Sequence, residues 1–248
     1  MTHERGGGSK GSDFREAPPD RLVVPTLSPM TFMMLGMLVP FLALLFMGAE
    51  ASEVIVTCGS SVKLQHDRTK YRLHSHEVQY GSGSGQQSVT GYKDGDDSND
   101  YWIVHGAFRT NCTQGTPIES GTVVRLRHVN TGKWLHSHLH RSPISGNLEV
   151  SAYDGGTVEG SDSGDNWEVN LDAGGKWKRD QRVRFKHVDT QHWLHSHDKR
   201  FGRPIAGQQE ICAVQKKTND ALWFAGEGVY FPEREKPSAY LKTPHEDL

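Results

Sequence analysis

One tetrapeptide occurs three times in this chain, as Leu73-His74-Ser75-His76, Leu135-His136-Ser137-His138 and Leu194-His195-Ser196-His197. The copies lie 62 and 59 residues apart. A fixed period of that length means one unit used three times. A unit so small cannot bury its apolar face alone, so the three must share a core.

The match extends on both sides of the tetrapeptide. Upstream, Val62-Lys63-Leu64-Gln65-His66 aligns with Val124-Arg125-Leu126-Arg127-His128 and Val183-Arg184-Phe185-Lys186-His187. Turn-forming residues separate the two blocks: Asp67-Arg68-Thr69, Asn130-Thr131-Gly132 and Asp189-Thr190-Gln191. Downstream come Gly85 to Val89, Gly146 to Val150 and Gly207 to Ile211, and each unit closes on a tryptophan, Trp102, Trp167 or Trp223. Short alternating runs bounded by Gly, Asn, Asp, Ser and Pro predict an all-β fold. Leu64, Leu126 and Phe185 are expected in the core, with Leu73, Leu135, Leu194 and the three tryptophans.

Charge narrows the function. The 248 residues carry a formal −2 and no basic block, which leaves no electrostatic footprint for nucleic acid. Residues 1–29 are polar and rich in Gly, Ser and Pro, and read as a disordered extension. Residues 30–48 hold no charge and are followed by Ala49-Glu50-Ala51, a small-x-small site. Residues 30–51 therefore read as a signal peptide, with Ser52 as the mature start; a membrane anchor is the alternative, and Met30 as the true start is another. Each reading places residues 52–248 in the lumen or outside the cell, with residues 52–232 as one domain whose units lie at about 54–112, 116–175 and 177–232. The mature chain would not engage the membrane.

Three cysteines allow one bridge in that compartment. Cys58 precedes the first strand of unit one and Cys112 follows its last, so antiparallel pairing of those strands would join the sulfurs. Closing that loop of about 55 residues would contribute roughly 3–4 kcal/mol. The alternative is three free thiols, and Cys212 reads as a buried small hydrophobe. Asn111-Cys112-Thr113 is an N-glycosylation sequon in a loop. Residues 233–248 read as a flexible tail ending in His245-Glu246-Asp247-Leu248, a retrieval-like signal with its two acids exchanged.

The pattern V-x-L-x-H-x-x-T-x-x-W-L-H-S-H, then S-G, E-V and D/N-x-W, resembles the MIR motif of protein O-mannosyltransferases, inositol trisphosphate receptors and ryanodine receptors. The chain over about residues 54–232 resembles the stromal cell-derived factor 2 family, in stretches such as Tyr80 to Gly91, Trp134 to Val150 and Glu227 to Tyr230. That resemblance implies a β-trefoil, with six strands in a short barrel and six in a hairpin cap. It also implies an endoplasmic-reticulum adaptor that works with a DnaJ-type co-chaperone and the lumenal Hsp70 on unfolded or wrongly O-mannosylated clients. Secretion is the alternative destination.

The histidines suggest chemistry. His74 and His76, His136 and His138, and His195 and His197 each share one strand face, and two imidazoles so placed can hold zinc or copper if a third ligand joins them. His66, His128 and His187 offer one per unit, but a threefold arrangement puts the pairs on different sides. The expectation is that the histidines bond loop backbone and pin the hairpins, with no metal, no cofactor and no catalysis. Asp96-Asp97 and Asp162 to Asp165 read as solvated loops, and Glu149 and Glu210 as structural or surface groups. A glycan-binding module is the competing reading, with Tyr80, Tyr92 and Tyr153 as loop-side aromatics. A mannosyltransferase fragment is a weaker third, since such enzymes are multi-spanning.

Overall fold

Twelve strands arise from the repeated pattern, four per unit. In unit one they are β1 (Ser61–His66), β2 (Arg72–Gln79), β3 (Gln87–Tyr92) and β4 (Tyr101–Gly106). Unit two gives β5 (Val123–His128), β6 (Trp134–Arg141), β7 (Leu148–Tyr153) and β8 (Trp167–Asn170). Unit three gives β9 (Arg182–His187), β10 (Trp193–Arg200), β11 (Gln209–Val214) and β12 (Trp223–Val229). A three-residue 3₁₀ turn precedes the last strand of every unit. The structure is a computed structural model and describes residues 53–155 and 160–234. The extension, the signal-peptide stretch and the terminal tetrapeptide lie outside the described residues.

Six strands close a barrel: β1 pairs β12 and β4, β9 pairs β12 and β8, and β5 pairs β4 and β8, all antiparallel. The other six form three hairpins, β2–β3, β6–β7 and β10–β11. Contacts among β3, β7 and β11 join them into a triangular cap. This is a β-trefoil, and closure leaves the barrel strands without the exposed edges that short strands otherwise offer.

Alternation along the barrel strands sends every second side chain inward. Leu64, Leu126, Phe185, Leu73, Leu135 and Leu194 have no solvent exposure, nor have Trp102, Trp167 and Trp223. Each indole also meets a polar demand. Its N–H donates to the leucine carbonyl of its own tetrapeptide: Trp102 to Leu73 (2.9 Å), Trp167 to Leu135 (2.9 Å) and Trp223 to Leu194 (3.1 Å). Those bonds lock the last strand of each unit to its hairpin.

The opposite end of the barrel is closed by residues six positions ahead of each first-strand valine. Val56, Ile118 and Trp177 are buried, and their backbones form a ring. Val56 N donates to Trp177 O (2.8 Å), Trp177 N to Ile118 O (2.7 Å) and Ile118 N to Val56 O (3.0 Å). The sequence pattern did not mark this position, because Val, Ile and Trp share apolarity but not size.

Cys58 and Cys112 form a disulfide with Cα atoms 6.0 Å apart, at the join between β1 and β4. Asn111 is exposed in the adjoining loop. Glu233 and Arg234, the first residues of the expected tail, are bonded to the trefoil. Glu233 pairs with Lys176 (2.7 Å) and Arg234 N donates to Gly115 O (2.9 Å), so these residues dock against the barrel end. Among the described residues no helix is long and apolar enough to cross a membrane.

Replacing Trp167 by Phe leaves the Leu135 carbonyl buried without its donor. The expected loss is about 1–3 kcal/mol, read as a lower urea midpoint. Trp193→Phe, at a half-exposed indole, is expected to cost within about 0.5 kcal/mol. Equal losses would remove the role given to the N–H.

Candidate functional site: the histidine clusters of the cap

Each unit carries three histidines at matching positions, and they do three different things. The first ends the opening strand. His66, His128 and His187 are wholly buried. Their Nδ1 atoms meet the hydroxyls of Thr69 (2.9 Å), Thr131 (2.8 Å) and Thr190 (2.9 Å), three residues on. The N–H groups of the same threonines donate to Nδ1 as well. Nδ1 therefore accepts, the proton sits on Nε2, and the ring is neutral. Nε2–H then donates to a carbonyl of another unit: His128 to Asn99 O (2.9 Å), His187 to Gly164 O (2.8 Å) and His66 to Asp220 O (2.9 Å). Each ring also lies against the tryptophan of that unit, with centroids 4.8–5.0 Å apart. These imidazoles fasten one unit to the next.

Burial disfavours the charged form and lowers the pKa of His66 and His187, and brings that of His128 to about 4.

The second histidine opens the tetrapeptide's H-S-H. The expected bond to loop backbone is replaced by a bond to a carboxylate. His74 donates from Nδ1 to Asp100 Oδ1, and His136 to Asp165 Oδ1, both at 2.9 Å. Asp100 and Asp165 are fully buried, so the acidic segments are not simply solvated loops. The 3₁₀ turn explains the difference, because it swings the residue two ahead of each tryptophan under the hairpin. Around Asp165 the turn is reinforced: Oδ2 accepts from Ser161 Oγ (2.6 Å) and Asp162 N (2.9 Å). Gly164 stands so close to His136 that a side chain there would strike the ring. In unit three the aspartate position is Ala221. There His195 Nδ1 meets Cys212 Sγ at 3.6 Å, and burial brings the His195 pKa to about 4.

The third histidine faces the middle of the hairpin partner. His138 donates to Glu149 Oε1 (3.1 Å) and His197 to Glu210 Oε2 (2.5 Å). Neither glutamate is a surface group; Glu149 is 1% and Glu210 0% exposed. Their second function is to hold the neighbouring unit's loop. Glu149 accepts from Ser84 Oγ and Ser84 N, and Glu210 from Ser142 Oγ and Ser145 N. These charged-acceptor bonds and the histidines keep both carboxyls below the usual range despite burial. Unit one has Ser88 at that position, and its hydroxyl donates to Val78 O (2.8 Å). His76 is left without a carboxylate, and burial lowers its pKa.

The tyrosines separate. Tyr80 is buried, and its hydroxyl donates to Val89 O (2.8 Å) and Val150 O (2.9 Å), which removes it as a surface platform. Tyr92 and Tyr153 are half-exposed and lie against His74 (4.6 Å) and His136 (5.0 Å). The sequence held two further signals. The H-x-x-T spacing marks each strand-end histidine with its threonine, and D-x-W in units one and two marks the buried aspartates.

The MIR domain family matches residues 71–225. The stromal cell-derived factor 2-like protein of Arabidopsis thaliana is 55% identical over 189 residues, covering 76% of this chain and 85% of that one. Human stromal cell-derived factor 2 is 51% identical over 189 residues, covering 76% of this chain and 86% of its own. The crystal structure of the Arabidopsis SDF2-like protein superposes with a TM-score of 0.70, covering 73% of this chain and all of that one. The S. cerevisiae protein O-mannosyltransferase Pmt1-Pmt2 complex bound to the sugar donor matches at 25% identity and a TM-score of 0.63, over 86% of this chain and 34% of that chain. The chain belongs to the stromal cell-derived factor 2-like family.

A neutral buried histidine contributes stability that is complete above its unfolded pKa of about 6.5 and is lost as pH falls toward its lowered folded value. His66, His76, His105, His128, His187 and His195 are all lowered. Asp100 runs the other way, because burial raises its carboxyl. Histidines outnumber it, so the thermal midpoint is expected to fall steadily from about pH 6.5 to about pH 4.5. Calorimetry across that range checks this; a flat profile contradicts the neutral rings.

Proposed function

We propose that this protein is a non-catalytic adaptor of the endoplasmic-reticulum lumen in protein folding quality control. It acts with a DnaJ-type co-chaperone and the lumenal Hsp70, holding unfolded or aberrantly O-mannosylated clients. The observation that carries the reading is the way the polar groups of the cap are used. Asp165, Glu149 and Glu210 are buried and bonded inward. The histidines that meet a hydroxyl are themselves fully buried, and the Cys212 thiol beside His195 has no exposure. Among the described residues these clusters set no solvent-accessible nucleophile against a base, which leaves the surface for docking. Kinship with stromal cell-derived factor 2 and likeness to a mannosyltransferase complex support a place in the secretory pathway. Asn111, exposed beside the bridge, is the residue proposed to carry an N-glycan.

A glycan-binding module is the second reading. Tyr92 and Tyr153 favour it, since each sets an aromatic ring beside a histidine held by a buried aspartate.

Affinity capture from lumenal extract separates the two. A DnaJ-type protein recovered in stoichiometric amount is the expected result. Its absence, together with signals on a glycan array, overturns the adaptor in favour of the module. Retrieval is tested separately by removing His245 to Leu248, which is expected to move the protein into the medium. An unchanged distribution refutes retrieval through that tetrapeptide.

A further inference from the structure

The threefold pattern breaks where the residues that break it stand together. Across the first two hairpins the opening histidine of H-S-H faces a hydroxyl residue, His74 opposite Thr90 and His136 opposite Ser151. In the third hairpin the same register sets His195 opposite Cys212. Ala221 stands where the other units place an aspartate. Unit three has thus exchanged an oxygen donor for a sulfur beside the same imidazole. His197, two residues on along β10, presents a second ring to the same face. One ligand atom from each of His195, His197 and Cys212 lies within 4.8 Å of the other two.

The spacing of His195 and Cys212 suits an ion. Zinc bonds of about 2.3 Å to sulfur and about 2.05 Å to nitrogen, at a tetrahedral angle, separate the two donors by about 3.6 Å. His195 Nδ1 and Cys212 Sγ are 3.6 Å apart. The surroundings also suit an ion. Glu210, wholly buried, accepts the Nε2–H of His197, which leaves a lone pair on Nδ1 where Lys199 N–H now donates (3.1 Å). A carboxylate behind a ligating imidazole fixes its tautomer and raises its basicity. Asn147 Nδ2 donates to Sγ at 3.4 Å and would support a thiolate there.

We propose that His195, His197 and Cys212 form a binding site for a divalent ion of borderline softness, zinc foremost. Binding displaces the thiol proton to solvent as the metal–sulfur bond forms. Burial otherwise pushes that thiol up to about 12, so at neutral pH it is protonated until a cation arrives. The ion would tie β10 to β11 in the unit whose hairpin histidine has no aspartate to hold it.

Cobalt(II) is the probe. Cys58 and Cys112 are bridged, so Cys212 is the one thiol left to report. The full chain, stripped of metal, is titrated with cobalt and then with zinc. The expected result is one equivalent bound, with a near-ultraviolet sulfur-to-cobalt charge-transfer band and the strong visible bands of a tetrahedral ion, all displaced by zinc. Cys212→Ser should abolish the charge-transfer band and weaken zinc at least about tenfold. Unit two already carries Ser151 at that register, so the variant is compatible with the fold, and an unchanged metal-free thermal midpoint checks this. His197→Gln should lose the tetrahedral visible bands, whereas His138→Gln in unit two should bind as the parent does. Absence of the charge-transfer band at millimolar cobalt, its survival in Cys212→Ser, or equal loss in His138→Gln overturns the proposal.

Discussion

The carbonyl oxygens of Asn99, Gly164 and Asp220, three residues ahead of each strand tryptophan, receive a hydrogen bond from an imidazole of another unit. A buried carbonyl without a partner costs as much as a lost hydrogen bond. The donor must be short, rigid and neutral, and histidine in its Nε2–H form meets all three needs. The threonine three residues on enforces that form by occupying Nδ1. The tryptophan supplies the flat wall on which the ring rests, and its own N–H is committed to the leucine carbonyl. Histidine, threonine, tryptophan and leucine are thus one device, written three times.

The cap repeats this logic with charge. Glu149 and Glu210 reach from one hairpin into the preceding unit's loop, and each is steadied by a histidine of its own hairpin. Unit one, with Ser88, lacks the third such link, and its loop companions differ accordingly: Tyr80 and Phe201 pack with ring centroids 5.8 Å apart where the loops of units one and three meet. Symmetry therefore holds strictly in the barrel and loosely in the cap. Core positions admit one geometry, whereas loops of unequal length leave room for each unit to find its own partners.

That division sets what could be read from residues alone. The period, the alternating strands and the closing tryptophans report packing, which repeats in the sequence because it repeats in space. An all-β body of three units sharing one core was legible on those grounds, and the trefoil followed from the resemblance to the MIR motif. The burial of the acids was not legible, although D-x-W marked the place of two of them. Asp165 lies among Asp162 and Ser163 in a run that looks like any solvated loop, and only the 3₁₀ turn brings it beneath His136. Tyr80 misled for the opposite reason: flanking glycines suggest a surface loop, but its hydroxyl spans two hairpins. The ring of Val56, Ile118 and Trp177 is a backbone feature, so side-chain identity hardly recorded it.

The bond from His66 to Asp220 spans 154 residues, and β1 has β12 as a barrel neighbour. A ribosome delivers the first unit long before the last, yet the first cannot satisfy its own histidine until the final strand has emerged. His128 and His187 find their acceptors behind them in the chain, already synthesised; His66 alone must wait for one ahead. Translation order therefore makes the amino-terminal unit the first made and the last completed. During that interval its apolar face has no partner from the third unit.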